Sequence, residues 1–344
     1  MPNNFPNTFI YNGYSTEHIK NGVISFSFTL LHKDKTHTFT ETVHFDPQGV
    51  VFETLNPQLL RNTLDALMLF LGISYWKLSA PNEIKITNNF LNKKQAEFWN
   101  LVFTKGMGEF FYKNNIDFHG LVNFPYNDKS SKNSPIKTAR KDRSLVLIGG
   151  GKDSLVTAEL LKQAGKEFSA FTMGESRIQN QTLEILGKEK LLITKKIDPL
   201  LIELNKRDDM LNGHIPITLG YTLSALLAAV LYNYKYIVLS NERSANYGNV
   251  EYLGEEINHQ WSKSFEAEKA VQQYIHEFVT PDITSFSLLR PLHEIRVVKT
   301  FTHYPQYFPF FSSCNRNFVI ASERQQNNWC NECPKCAFAY LVLA

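Results

Sequence analysis

The sequence predicts an α/β protein with a parallel sheet, preceded by an α+β domain and closed by a cysteine knot. Three observations predict it. From residue 144 onward, short apolar runs alternate with helical patterns, as in βαβ units with right-handed crossovers. Before residue 127, period-two alternation gives way to helical spacing. All four cysteines, Cys314, Cys330, Cys333 and Cys336, lie late in the chain, and the first 313 residues hold none. A length of 344 residues accommodates about two ordinary domains.

Composition narrows the class. Apolar residues make up 43% and charged residues 20%, ordinary for a globular protein. The formal charge is only +3, from 36 Lys+Arg against 33 Asp+Glu, which gives no global electrostatic case for nucleic acid or membrane as partner. "MPNNFPNTFIYNGY" lacks the basic and apolar regions of a secretory signal. No apolar run reaches the ~18–20 residues of a membrane span. A cytoplasmic enzyme is the expectation.

Taken in order, residues 1–126 form the α+β segment. "VISFSFTLLH" alternates Ile24, Phe26, Phe28 and Leu30 with smaller or polar residues, and "HTFTETVHFD" alternates Phe39, Val43 and Phe45. "KDK" between them is the expected hairpin turn. Asn56-Pro57 starts a helix, with a capping side chain and a proline at the first helical position. A second helical stretch runs through "NKKQAEFWNLVFTKGMGEFFYKNN". Residues 127–143, with six Lys/Arg against two Asp, read as a polar basic linker; a phosphate-steering patch is the alternative. Within 144–311, "SLVLIG", "EFSAFTMG", "LLITKKID" and "KYIVLSNE" read as strands, and "PITLGYTLSALLAAVLYN" as a buried helix. Ligands of such sheets sit at the carboxyl ends of strands. "GGGKDS", "TMGES" and "SNERSANYGN" occupy those positions.

The loop Gly149-Gly150-Gly151-Lys152-Asp153-Ser154 fails two familiar patterns. A Walker A loop requires Ser or Thr after Gly151-Lys152, where Asp153 stands. A dinucleotide loop requires glycine where Ser154 stands. The loop resembles instead the S-G-G-x-D-S loop of the PP-loop ATP pyrophosphatases (a HUP-like fold), departing only in Gly149 for the first serine. Backbone N–H groups and the start of the following helix can hold pyrophosphate. Lys152 adds a point charge, and Asp153 engages a bridging Mg²⁺ rather than phosphate itself. The bond broken is then the one between the α- and β-phosphates of ATP. The resemblance implies adenylation of a carboxylate, amide or carbonyl oxygen, and adenine against the backbone around Met173 and Gly174.

Cys314, fifteen intervening residues and then C-x2-C-x2-C supply four thiolates for one tetrahedral Zn²⁺. Such a site is structural, with no open coordination position. An iron–sulfur cluster is the alternative, because C-x2-C-x2-C also occurs in ferredoxin-type runs. A zinc knuckle reading RNA is a third reading.

"LGISYWKLSAP", "QAEFWNLVFTKGMGEFFYKN", "NGHIPIT", "SNERSANYGN", "NHQWSKSFEAE", "CNRNF" and "WCNECPKCAF" together are similar to the UDP-N-acetylmuramoyl-L-alanyl-L-glutamate epimerases of the MurL type. That resemblance implies ATP-dependent inversion of the terminal L-glutamate of a UDP-linked muramyl dipeptide to D-glutamate in peptidoglycan precursor synthesis, with AMP and pyrophosphate released. Glu242 and His259 join Lys152 and Asp153 as candidate catalytic groups. Asn241, Arg243, Asn246, Lys263 and Glu109 are candidate substrate contacts. His259 and Lys263, four apart, are expected to share a helix face. Two other readings stay open: another PP-loop adenylating enzyme, such as a deazaguanine nitrile synthase or a tRNA-modifying enzyme, and a non-catalytic zinc-stabilised module. The nitrile synthases share the loop and the cysteine spacing but are shorter and lack the N-terminal domain. "CAFAYLVLA" ends the chain as an uncapped apolar helix, from which the chain is expected to continue.

Overall fold

A computed structural model describes residues 7–87, 91–129, 134–318 and 327–343. The strands are β1 (Thr8–Ser15), β2 (Val23–His32), β3 (Lys35–Phe45), β4 (Glu83–Ile86), β5 (Lys141–Leu147), β6 (Phe168–Met173), β7 (Lys190–Lys196), β8 (Tyr234–Leu239), β9 (Val250–Tyr252), β10 (Glu255–Ile257) and β11 (Thr284–Ser287). The helices are α1 (Pro57–Leu71), α2 (Ile73–Trp76), α3 (Lys93–Lys105), α4 (Gly108–Lys113), α5 (Lys152–Gln163), α6 (Arg177–Leu186), α7 (Pro199–Leu204), α8 (Ile217–Tyr232), α9 (Phe265–Tyr274), α10 (Glu294–Phe301) and α11 (Pro334–Leu343).

One nine-stranded sheet, ordered β11-β8-β5-β6-β7-β3-β2-β1-β4, runs through the molecule. Its C-terminal half, β11-β8-β5-β6-β7, is wholly parallel. The N-terminal strands join it through an antiparallel pairing of β3 with β7, from Thr42 opposite Lys196 to Phe45 opposite Ile193. The α+β segment and the parallel half therefore share a sheet, a connection that local periodicity in either segment does not encode.

The two halves bury their faces differently. In β2, Ile24, Phe26, Phe28 and Leu30 are fully buried, while the alternate residues lie on a partly open face, as an antiparallel sheet covered on one side requires. In the parallel half, Leu145, Phe171 and Ile237 pack into the large core beneath α1 and α8. Their neighbours Val146, Ala170 and Val238 pack on the opposite face with α5 and α6 residues such as Leu161 and Leu183. Helices thus cover both faces.

Local signals explain the elements. Asn56 accepts hydrogen bonds from the N–H groups of Gln58 and Leu59, and Pro57 occupies the first turn of α1. Asn92 and Gln95 form a reciprocal capping box at the start of α3. The second expected helix is broken between α3 and α4 around Gly106 and Met107. Helix α8 is apolar all round and almost entirely buried, the arrangement such a helix needs. It reaches α1 closely because Gly220 has no side chain: a Cβ there would lie 2.3 Å from the Phe70 ring.

The stretch 127–143, expected as a linker, is anchored over its later part. Ile136 N–H donates to the Val279 carbonyl and Thr138 N–H to Asp282. Arg140 and Arg143 donate to carbonyls at the end of α8, at Val230 and Tyr232. These arginines satisfy helix-end acceptors rather than forming a solvated run. β5 accordingly starts at Lys141, three residues before "SLVLIG".

Candidate active site

Strand order fixes where a ligand can enter. Starting from β5, the chain adds β6 and β7 on one side, then crosses to place β8 and β11 on the other. In open α/β sheets the loops leaving the two strands at such a switch point diverge, and ligands bind outside their carboxyl ends. "GGGKDS" follows β5 and "SNERSANYGN" follows β8, so two of the three expected ligand loops leave the strands that flank it, while "TMGES" follows β6.

The glycine loop is shaped for an anion. Gly150 has φ +83°, and a Cβ on it would lie 2.7 Å from Ile178 Cγ2. Only glycine suits that position. Gly149 faces open space, with nothing within 4 Å of a Cβ. Gly151 caps the twelve-residue helix α5 with no side-chain hydrogen bond, so the first-turn N–H groups keep their capacity for an anion. Ser154 Oγ donates to the Gly151 carbonyl at 3.0 Å and closes the turn.

Lys152 is buried, and its Nζ donates to Asp153 Oδ1 at 2.8 Å and to Glu294 Oε1 at 3.0 Å. Burial opposes its charge, but the two carboxylates outweigh that and hold its pKa above the ordinary lysine value. Lys263, on a 3-10 turn at 261–263, has its pKa lowered by burial and then by the charge of Lys335, while Asp153 and Glu242 act in the opposite direction. Charged groups from three other parts of the chain therefore bear on Lys263: Lys152 and Asp153, Glu242, and Lys335.

Other expected site residues are placed as follows. Glu242 caps the turn at 243–246, accepting from Ser244 N–H and Oγ, each at 2.6 Å. Asn241 Nδ2 donates to Ser287 Oγ, and Asn246 Oδ1 accepts from Phe265 N–H, so both brace neighbouring elements. The Arg243 side chain is exposed. Met173 accepts a contact from Ser224 Oγ, and Gly174 N–H is taken up by the Ile193 carbonyl. His259 and Lys263 do not share a helix face. Asn258 accepts from Gln260 N–H, which closes a turn, and α9 starts only after the Ser264 cap. His259 is exposed and bonds Asn249 Oδ1 at 3.0 Å. Glu109 on α4 instead faces His214, its Oε2 lying 3.7 Å from Nδ1.

Several contributors escape motif reading. Glu294 belongs to "RPLHEIR", His214 to "NGHIPIT", and Lys335 lies between two cysteines. Arg290 is nearly buried and ties three segments together. It donates to the Glu242 carbonyl at 2.9 Å, the Lys263 carbonyl at 2.6 Å and Glu268 Oε2 at 2.8 Å. A basic residue three positions past β11, directly after Leu288 and Leu289, was the available signal.

The four cysteine sulfurs lie within 4.8 Å of one another, with separations such as 3.5 Å for Cys333–Cys336 and 3.7 Å for Cys330–Cys336. Four thiolates at 2.3 Å around one tetrahedral zinc stand about 3.8 Å apart. The donor set fits one such ion; a four-iron cluster, which spreads its thiolates over separate irons, needs wider spacing. The knot adjoins the glycine loop, since Ser312 N–H donates to the Gly150 carbonyl at 3.2 Å and Cys314 N–H donates to Ser312 Oγ at 3.0 Å.

A family model described as the MurL N-terminal domain matches residues 3–288, and one described as the MurL C-terminal domain matches 310–344. The chain belongs to the MurL family. Two relatives are each named UDP-N-acetyl-alpha-D-muramoyl-L-alanyl-L-glutamate epimerase. That of Xanthomonas oryzae pv. oryzae is 38% identical over 311 residues, covering 90% of this chain and 68% of the relative. That of a Micromonospora species is 34% identical over 339 residues, covering 98% and 74%. A solved structure, a predicted subunit of tRNA methyltransferase from Methanocaldococcus jannaschii, is 18% identical and covers 47% of this chain and 73% of its own, with a TM-score of 0.28. That likeness carries no argument. No helix among the described residues is long and apolar enough to cross a membrane.

Proposed function

We propose that the protein is an ATP-dependent epimerase that converts the terminal L-glutamate of UDP-MurNAc-L-Ala-L-Glu to D-glutamate, with AMP and pyrophosphate released. Family membership supports the substrate and the stereochemical outcome. One structural observation supports the chemistry: a helix start with no side-chain cap, carrying Lys152 and Asp153, lies at the switch point of the sheet.

An α-proton beside an ionised carboxylate is hard to remove, because the product is a dianion. Adenylation cancels that charge. A substrate carboxylate oxygen attacks the α-phosphorus of ATP, the bond to the bridging oxygen breaks, and pyrophosphate leaves. The loop N–H groups and Lys152 stabilise the charge on the departing phosphates. Asp153 and Glu294 offer oxygen ligands for Mg²⁺, which when bound neutralises phosphate charge. Lys152 contacts both carboxylates and would turn to phosphate when ATP binds. The four cysteines would hold a structural Zn²⁺ that braces the glycine loop from behind. A nucleotide-linked precursor as substrate supports a cytoplasmic location.

The test is incubation with UDP-MurNAc-L-Ala-L-Glu, ATP and Mg²⁺, followed by chiral analysis of glutamate and nucleotide analysis. D-glutamate and AMP are expected. ADP in place of AMP, or ammonia-dependent turnover without inversion, refutes the proposal.

A further inference from the structure

Inversion requires a group that takes the α-proton and another that returns one to the opposite face. The glycine loop supplies neither. Away from it, the charge of Lys263 acts on both Asp153 at the nucleotide loop and His214. His214 lies on the 211–216 segment, which the fold holds firmly. Lys77 Nζ donates to Asn212 Oδ1 at 2.6 Å and to the Gly213 carbonyl at 3.1 Å, and Asn114 Nδ2 donates to the Asn212 carbonyl at 3.1 Å. Glu109, from α4, lies 3.7 Å from His214 Nδ1, and both side chains are about one-third exposed at 30% and 32%. The Glu109 carboxylate acts on the imidazole through its charge from the Nδ1 side, which leaves Nε2 for substrate. No hydrogen bond or ion pair reaches the Lys263 ammonium among the described residues, which leaves it available to a ligand.

We propose that His214, positioned by Glu109, and Lys263 are the two proton-transfer groups of the reaction. This rests on the epimerase reading. His214 Nε2 takes the α-proton of the adenylated L-glutamyl group as the C–H electron pair moves into the enolate. The Lys263 ammonium donates a proton to the opposite face of that carbon, and the C–H bond reforms with inverted configuration. Histidine then loses its proton to water and lysine regains one, while water cleaves the acyl-adenylate to carboxylate and AMP. The charged groups around His214 are Glu109, His259, Lys263 and Lys77. Burial is the largest influence and lowers its pKa, leaving it neutral near pH 7 as a base must be; burial of Lys263 likewise makes it a readier donor.

The test separates adenylation from proton transfer. His214→Gln is expected to keep substrate-dependent pyrophosphate release within about threefold, while D-glutamate formation and deuterium uptake from D₂O fall at least ~100-fold. Lys263→Met should retain washout of the α-proton from L-substrate yet form no D-product. Glu109→Gln addresses the dyad without removing the base. Losing the carboxylate lowers the His214 pKa, so the acid limb of the wild-type kcat/KM profile should move to lower pH. Inversion at wild-type rate in His214→Gln overturns the proposal, as does an unmoved acid limb in Glu109→Gln or a loss of pyrophosphate release equal to the loss of inversion in a folded variant. If the wild-type protein makes no D-glutamate, the epimerase reading has failed instead.

Discussion

Two adjacent glycines should respond to the same substitution in opposite ways. Gly150 combines φ +83° with an Ile178 methyl 2.7 Å from any added Cβ, whereas Gly149 has neither constraint. In Gly150→Ala, the left-handed backbone costs roughly 1–2 kcal/mol. Displacing Ile178 in a packed core adds about 1–3 kcal/mol. A total of about 3 kcal/mol, at about 2.1 cal/mol/K per residue over a 344-residue cooperative unit, lowers the melting temperature by about 4 °C. Gly149→Ala should shift it by no more than about 1 °C, since surface changes stay within about 0.5 kcal/mol. Its methyl group enters the space assigned to phosphate, so ATP affinity should drop at least ~10-fold. Gly149→Ser restores the hydroxyl of the PP-loop pattern and should bind ATP at least as tightly as the parent. Scanning calorimetry and ATP titration by isothermal calorimetry measure both quantities. Equal destabilisation by Ala at the two positions would refute the backbone argument, and unchanged ATP binding in Gly149→Ala would show that phosphate does not sit beside Gly149.

Three further outcomes follow from the geometry. The purified protein should carry one zinc per chain by emission spectroscopy, and Cys336→Ser should weaken zinc binding by more than the ~10–100-fold lost on removing an outer-shell partner; metal-free protein with an unchanged melting point would refute a structural role. Arg290→Ala leaves Glu268 buried without its partner, and urea unfolding should register a loss of about 3–5 kcal/mol, against less than 1 kcal/mol if the tie is incidental. Because the fold lowers the His214 pKa, its contribution to stability is complete above the unfolded value of 6.5 and disappears as pH falls through the folded value. Wild type should therefore lose more stability than His214→Gln between pH 7 and pH 5, and parallel pH curves would contradict this.

What could be read in advance was local. Asn56-Pro57, the Gly150–Asp153 run and the C-x2-C-x2-C spacing act within one turn or loop, so sequence order preserves their geometry. The switch point was not readable, because adjacency of β5 and β8 follows from how the whole chain winds. Glu294 meets Lys152 across 142 positions, and Lys335 bears on Lys263 from the far end of the chain. Neither belongs to a repeating pattern. The shared helix face proposed for His259 and Lys263 failed for a different reason. Spacing of four implies a face only in a helix, and Asn258 and Ser264 impose a turn and a fresh start instead. Asn241 and Asn246 bind other parts of the protein, a reminder that amides beside a ligand loop often serve the loop itself.

The antiparallel seam between β3 and β7 also limits how the chain can be divided. Cutting near residue 134 would leave each fragment with a bare strand edge and an uncovered α1 or α8 surface, the features that drive edge-to-edge aggregation. Fragment complementation should therefore succeed only when both pieces are produced together. For the same reason, the glycine loop and the His214 side are tied to a single continuous sheet, so events at one must reach the other through loops and side chains rather than through rotation of one half against the other.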